Sequence, residues 1–118
     1  MRIIETLGAQ GEIRMFRIDE IPADARPVEK ERGHWVIGHS ESGHDHVLVA
    51  ERVKVYEAPT APQGMRILYA LLESVGSLEH LRSHDTHQPH AFAPGDAIMF
   101  RTDREYDPYA KLARQVAD

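Results

Sequence analysis

The chain has 118 residues, 42% apolar and 28% charged, with a formal net charge of −5 at pH 7, which suits one globular domain over residues 1–118 that buries roughly two-thirds of its unfolded surface. No apolar run approaches the roughly 18 residues of a membrane span, no basic block offers the clustered Lys and Arg that phosphates require, and the N-terminal stretch lacks the apolar core of a secretion signal, so the expectation is a cytoplasmic protein with no nucleic-acid and no membrane partner. With no cysteine, disulfides, thiolate catalysis and Cys-type zinc sites are excluded, and any metal must be held by imidazole nitrogen and oxygen.

Along the chain, residues 11–18 alternate apolar and charged side chains and predict a half-buried strand, with one irregularity where Met15 and Phe16 compete for the apolar face. Residues 19–32 carry Pro22, Pro27 and eight charged side chains, too broken for a helix or a central strand, and read as a solvated connection. Two β-rich runs, 34–39 and 45–50, flank Ser40-Glu41-Ser42-Gly43 and predict a hairpin. Val53-Lys54-Val55-Tyr56 alternates again after a tight turn near Ala50 to Arg52. The Pro-rich stretch 58–64 is an internal loop.

Residues 65–73 have the Leu and Ala content of a helix but the length and flanking glycines of a strand. They are read as a strand because everything around them is β. A short strand follows at 77–81. Residues 90–101 then read as strand, Pro-Gly turn at Ala93-Pro94-Gly95-Asp96, and strand. The tail beyond Pro108 suits two turns of helix with Leu112 and Val116 on one side. Six to eight short strands predict an all-β fold, a small single-domain β-barrel or sandwich with a short C-terminal helical or irregular tail.

All eight histidines fall in two windows, His34 to His46 and His80 to His90, a bunching that surface solubility alone does not explain. If the first hairpin closes around Ser40 to Gly43, His39 lies opposite His44, Ile37 opposite His46 and Trp35 opposite Leu48, all on one face. Opposed Cβ atoms stand about 4.5–5.5 Å apart, so His39, His44 and His46 converge at a spacing from which three imidazoles reach one ion at about 2.0–2.1 Å. Trp35, Ile37 and Leu48 then form the apolar wall of a small-molecule pocket. In the second window, Pro89 and the weak helix formers Ser83, Asp85 and Thr86 favour strand, loop, strand over a helix. His87 or His90, nearest the following strand, is the further metal ligand, and Asp85 is a candidate acceptor orienting a ligand histidine. The alternative for both windows is structural histidines in polar loops.

The spacing Gly38, five residues, His44-x-His46, four residues, Glu51 resembles the first metal-binding signature of cupin barrels. The resemblance covers about residues 34–100 and implies a cupin-like barrel around a divalent metal (Zn, Fe, Mn or Ni), with open coordination positions where water or a small-substrate oxygen is polarised. The chain departs from cupins in three places. Glu51 has the wrong strand parity for the histidine face, Ala58 stands where cupins usually carry a glycine, and no histidine follows the Pro94-Gly95 turn. No residue is nominated as catalytic, since neither Ser40 nor Ser42 sits in a nucleophile elbow and no phosphate-cradling loop is present. The segments Ser42-Gly43-His44-x-His46, Pro94-Gly95 and Arg104 to Pro108 also resemble short uncharacterised proteins of bacteria and their phages or mobile elements. A second expectation follows, a non-enzymatic module that presents its histidine-rich edge to a protein partner. Either reading is compatible with a homo-oligomer.

Overall fold

A computed structural model describes residues 1–39, 45–80 and 90–103. Ten strands occur among them: β1 Ile3–Gln10, β2 Ile13–Ile18, β3 Arg26–Pro27, β4 Trp35–Gly38, β5 His46–Ala50, β6 Val53–Glu57, β7 Arg66–Leu72, β8 Gly76–His80, β9 His90–Phe92 and β10 Ala97–Thr102. They form a six-stranded sheet in the order β1-β2-β10-β7-β6-β3 and a four-stranded sheet in the order β4-β5-β8-β9, with every pairing antiparallel. Among the described residues no ladder joins the two sheets. The architecture is therefore the sandwich form of the expected all-β fold and not a closed barrel. No described residue is helical, none of the described helices could cross a membrane because there are none, and the tail expected to be helical or irregular lies outside the described residues.

Alternation places one apolar face of each sheet against the other. Ile13, Met15, Leu68, Ala70, Leu72, Ile98 and Phe100 from the large sheet pack against Ile37, Leu48, Leu78 and Phe92 from the small one. Phe92 and Phe100 meet edge to face, 5.8 Å between centroids at 80°, a contact worth about 0.5–1.5 kcal/mol beyond the area it buries. The large sheet is apolar on its outer face as well. Phe16, Ile18, Tyr69, Ala97 and Met99 form a second cluster there, partly covered by Ile21 and Ala25 of the β2–β3 connection. Met15 and Phe16 thus do not compete for one face, since each is buried on its own side of β2.

The expected strand at 11–18 is the second arm of a hairpin whose first arm, β1, the alternation does not announce. Gly11, at φ 58°, turns the chain between them, and β1 carries two register shifts that blur its apolar period. Residues 65–73 do form a strand. Their flanking turns and their place between β10 and β6 outweigh the helical leaning of Leu and Ala.

Three changes of sheet gather at one end of the sandwich. Glu51-Arg52 carries the chain from β5 to β6, residues 73–75 from β7 to β8, and residues 93–96 from β9 to β10. These bends are bonded to one another and to the strand ends: Glu73 N–H donates to Arg52 O at 3.0 Å and Gly95 N–H to Leu72 O at 2.7 Å, while the Arg52 N–H donates to Ser74 Oγ at 2.9 Å. The histidine-bearing ends of β5, β8 and β9 lie at the other end.

Candidate functional site

His46 opens β5 and His80 closes β8, and the register sets them directly opposite each other. Their rings stack in parallel, 4.3 Å between centroids with 5° between planes. His90 opens β9 opposite Leu78. His46, His80 and His90 each stand two residues from, or opposite, a core side chain (Leu48 or Leu78), so all three share the inner face of the small sheet. Each is partly buried.

The large sheet meets this row with the β1–β2 hairpin. Gln10, the last residue of β1 and only 8% exposed, reaches across the sandwich. Its Nε2 donates to the Leu78 carbonyl at 3.0 Å, and its Oε1 stands at hydrogen-bond distance, 2.6 Å, from His46 Nδ1. Two glycines with positive φ also stand close to the row. A Cβ on Gly11 would stand 3.3 Å from His46 Nε2, and one on Gly8 would stand 3.1 Å from His90 Nε2. The far edges of both imidazoles therefore rest on bare backbone, where any other residue would press on the rings. His90 Nδ1 is buried without a hydrogen-bond partner, a position that a bound water, ion or ligand atom would satisfy.

The β4–β5 register differs from the expected one at the site. Trp35 faces Leu48 as expected, but His46 faces Gly38 and not Ile37, because a bulge lies between Val36 and Gly38. Ile37 is fully buried, and a Cβ on Gly38 would meet Ile13 Cδ1 at 2.7 Å, so both residues turn inward and share the space opposite one partner. His39 Nε2 bonds Glu31 Oε2 at 2.7 Å. Glu31 belongs to a tight turn, closed by its bridge to His34, in which Arg32 and Gly33 both have positive φ, 51° and 80°. Arg32 in turn reaches the buried carboxylate of Asp45 at 3.3 Å.

Of the expected wall residues, Ile37 and Leu48 are core side chains and Trp35 packs at the margin of the same core, under Lys30 Nζ 5.5 Å from its ring. Glu51 is exposed in the bend at the far end of β5, five extended residues or on the order of 16 Å from His46. It takes no part in the histidine row. His44 and His87 lie outside the described residues. Among the described residues no group of three or more His, Asp or Glu is arranged as a metal site.

Two members of the site went unassigned in the sequence. His80 was legible in principle, since Leu78 and His80 share parity in the alternating Ser77-Leu78-Glu79-His80. Gln10 was not, because nothing local marks a glutamine whose partners lie on β5 and β8. Away from the histidines, a shallow cavity of about 240 Å³ opens on the outer face of the large sheet between Ile21, Pro22, Ala23, Ala25, Tyr56 and Leu71.

Comparison with curated proteins and with solved structures finds no match, and no cupin family matches the sequence. Residues 9–103, a span that holds nine of the strands whole together with Gln10 and both histidine windows, match the family described as Domain of unknown function (DUF8820), and the chain belongs to that family.

Proposed function

We propose that the protein binds a divalent metal ion at the histidine end of the sandwich, with His46 and His80 as the central pair. The observation that carries this reading is their direct opposition across β5 and β8 on the inner face, with His90 on the next strand. Cross-strand neighbours at that spacing can both reach one ion at about 2.0–2.1 Å. Parallel rings do not aim two lone pairs at one point, so ligation by both requires the stack to open. His39, His44, His87 and His90 are the candidates for further ligands. An imidazole donor set suits Zn, Fe or Ni and also accepts Mn. The orphaned Nδ1 of His90 supports a ligand at this end. Two antiparallel sheets with a His-x-His segment leading into an inner strand agree with the cupin likeness. A cupin-type role, polarising water or a small-substrate oxygen at open metal positions, follows from it.

The test is elemental analysis of the protein as purified, and again after chelation and re-addition of Zn, Fe, Mn and Ni salts. Stoichiometric metal that is lost in the double variant His46→Ala/His80→Ala, with the β-sheet circular dichroism retained, is the expected result. Absence of metal under every condition overturns the reading. The second reading, a protein-interaction module, is favoured by one observation: among the described residues β1 is an edge strand whose Ile3 and Ile4 are 44% and 49% exposed, a surface that pairs readily with another chain. Sedimentation of the metal-free protein across a concentration series tests it.

A further inference from the structure

We infer that Gln10 is a positioning residue that holds His46 in the Nδ1–H tautomer and so makes Nε2 the atom offered to a divalent metal; the metal half of this inference rests on the function proposed above. Gln10 is buried, 8% exposed, and both ends of its amide are engaged. A backbone carbonyl only accepts, so the amide end facing Leu78 O at 3.0 Å must be the NH₂ group. Turning the amide over would set two oxygens against each other inside the sandwich, leaving a buried acceptor unpaired. The carbonyl end therefore faces His46 Nδ1, 2.6 Å away. Because that oxygen is also acceptor-only, Nδ1 must carry the proton.

In a neutral imidazole one nitrogen donates and the other holds the lone pair, and the partner of one decides the role of the other. With Nδ1 protonated, the lone pair of His46 sits on Nε2. That nitrogen lies at the Gly11 end of the ring, where a Cβ would stand 3.3 Å from it. The same amide spans the two strands that carry the stacked pair, since it bonds His46 on β5 and the backbone of Leu78 on β8. It thus fixes the ring of His46 relative to the strand that presents His80. Outer partners of this kind typically account for about 10–100-fold in metal affinity.

The experiment begins with metal-free protein. Long-range proton–nitrogen correlation spectra of the imidazoles, recorded well above the ordinary imidazole pKa, report the tautomer of His46 directly. The expected result is protonated Nδ1 and a lone-pair Nε2 in the wild type, and loss of that preference in Gln10→Leu. Zinc affinity, measured by competition with a chelator, is expected to fall about 10–100-fold in Gln10→Leu. A wild-type His46 with its proton on Nε2 overturns the inference whether or not metal binds. So does a Gln10→Leu protein that binds zinc as tightly as the wild type. An Nδ1–H tautomer that Gln10→Leu abolishes, in a protein that takes up no metal at all, upholds the positioning role and removes only the metal reading.

Discussion

Tyr69 shows how one side chain registers the two-sided character of the large sheet. It lies on the outer face of β7 among Phe16, Ile18 and Met99, only 5% exposed. Burial, and after it the negative charge of Asp24, raises its pKa above the ordinary value of 10.0, because both disfavour the phenolate. The unfolded chain releases this proton first. Tyr69 therefore contributes its stability in full below pH 10.0, and that contribution is lost as pH rises from there through the folded-state value. In a tyrosinate absorbance titration, Tyr69→Phe is expected to remove a late-ionising component, and Asp24→Asn to bring that component down without abolishing it, burial being the larger cause. Denaturation midpoints measured on the alkaline side are expected to fall less steeply with pH in Tyr69→Phe than in the wild type.

At the scale of the strands, glycine marks the places where two elements come too close for a side chain. Gly76 starts β8 opposite Ala50, and a Cβ there would stand 2.8 Å from Leu72 Cδ1, 3.0 Å from Ala50 Cβ and 3.1 Å from the Val49 carbonyl oxygen. A methyl group and a backbone oxygen have no rotamer to yield with. Gly76→Ala is therefore expected to lose about 1–3 kcal/mol in chemical denaturation, the usual range for overpacking a tight site. The same closeness explains which elements could be read from the sequence and which could not. Strands whose apolar period is regular and whose ends carry Pro, Gly or charged turns (β6, β8, β9 and β10) were legible, as were β2, despite its adjacent Met15 and Phe16, and the all-β class. β1 was hidden by its two register shifts, and the two-residue β3 was hidden in a charged connection. Trp35 opposite Leu48 was read correctly from the hairpin. The next pair inward was not, because the bulge between Val36 and Gly38 depends on how Ile37 and Gly38 fill the space beside Ile13, a contact between sheets that no local pattern records. The inward-facing His46 was legible for the same reason as the hairpin, whereas Gln10 and the pairing of His46 with His80 needed the packing of β1 and the β5–β8 register.

For the whole molecule, the bonded bends stand at the end opposite the proposed metal site. Three sheet-changing bends, bonded to one another and to the strand ends, secure one end. The row of His46, His80 and His90 occupies the other, where the buried Gln10 and the backbone of Gly8 and Gly11 meet it from the large sheet. An ion bound there would tie β5 to β8 at the end most distant from the bends and would bind the folded chain far better than the unfolded one. Such a ligand stabilises by mass action, about 2.7 kcal/mol when its free concentration is 100 times its Kd, which for a domain of this size raises Tm on the order of 10 °C. Thermal unfolding of chelator-treated protein titrated with zinc is therefore expected to move upward with concentration, and the shift should vanish in His46→Ala/His80→Ala. Gly76→Ala is the informative control: it weakens the fold at the opposite end and leaves the histidines in place, so it should start from a lower Tm and keep the whole zinc-dependent rise. An equal rise in the histidine double variant would mean that zinc acts elsewhere on the chain, whereas a rise lost in Gly76→Ala would mean that the two ends are coupled through the core.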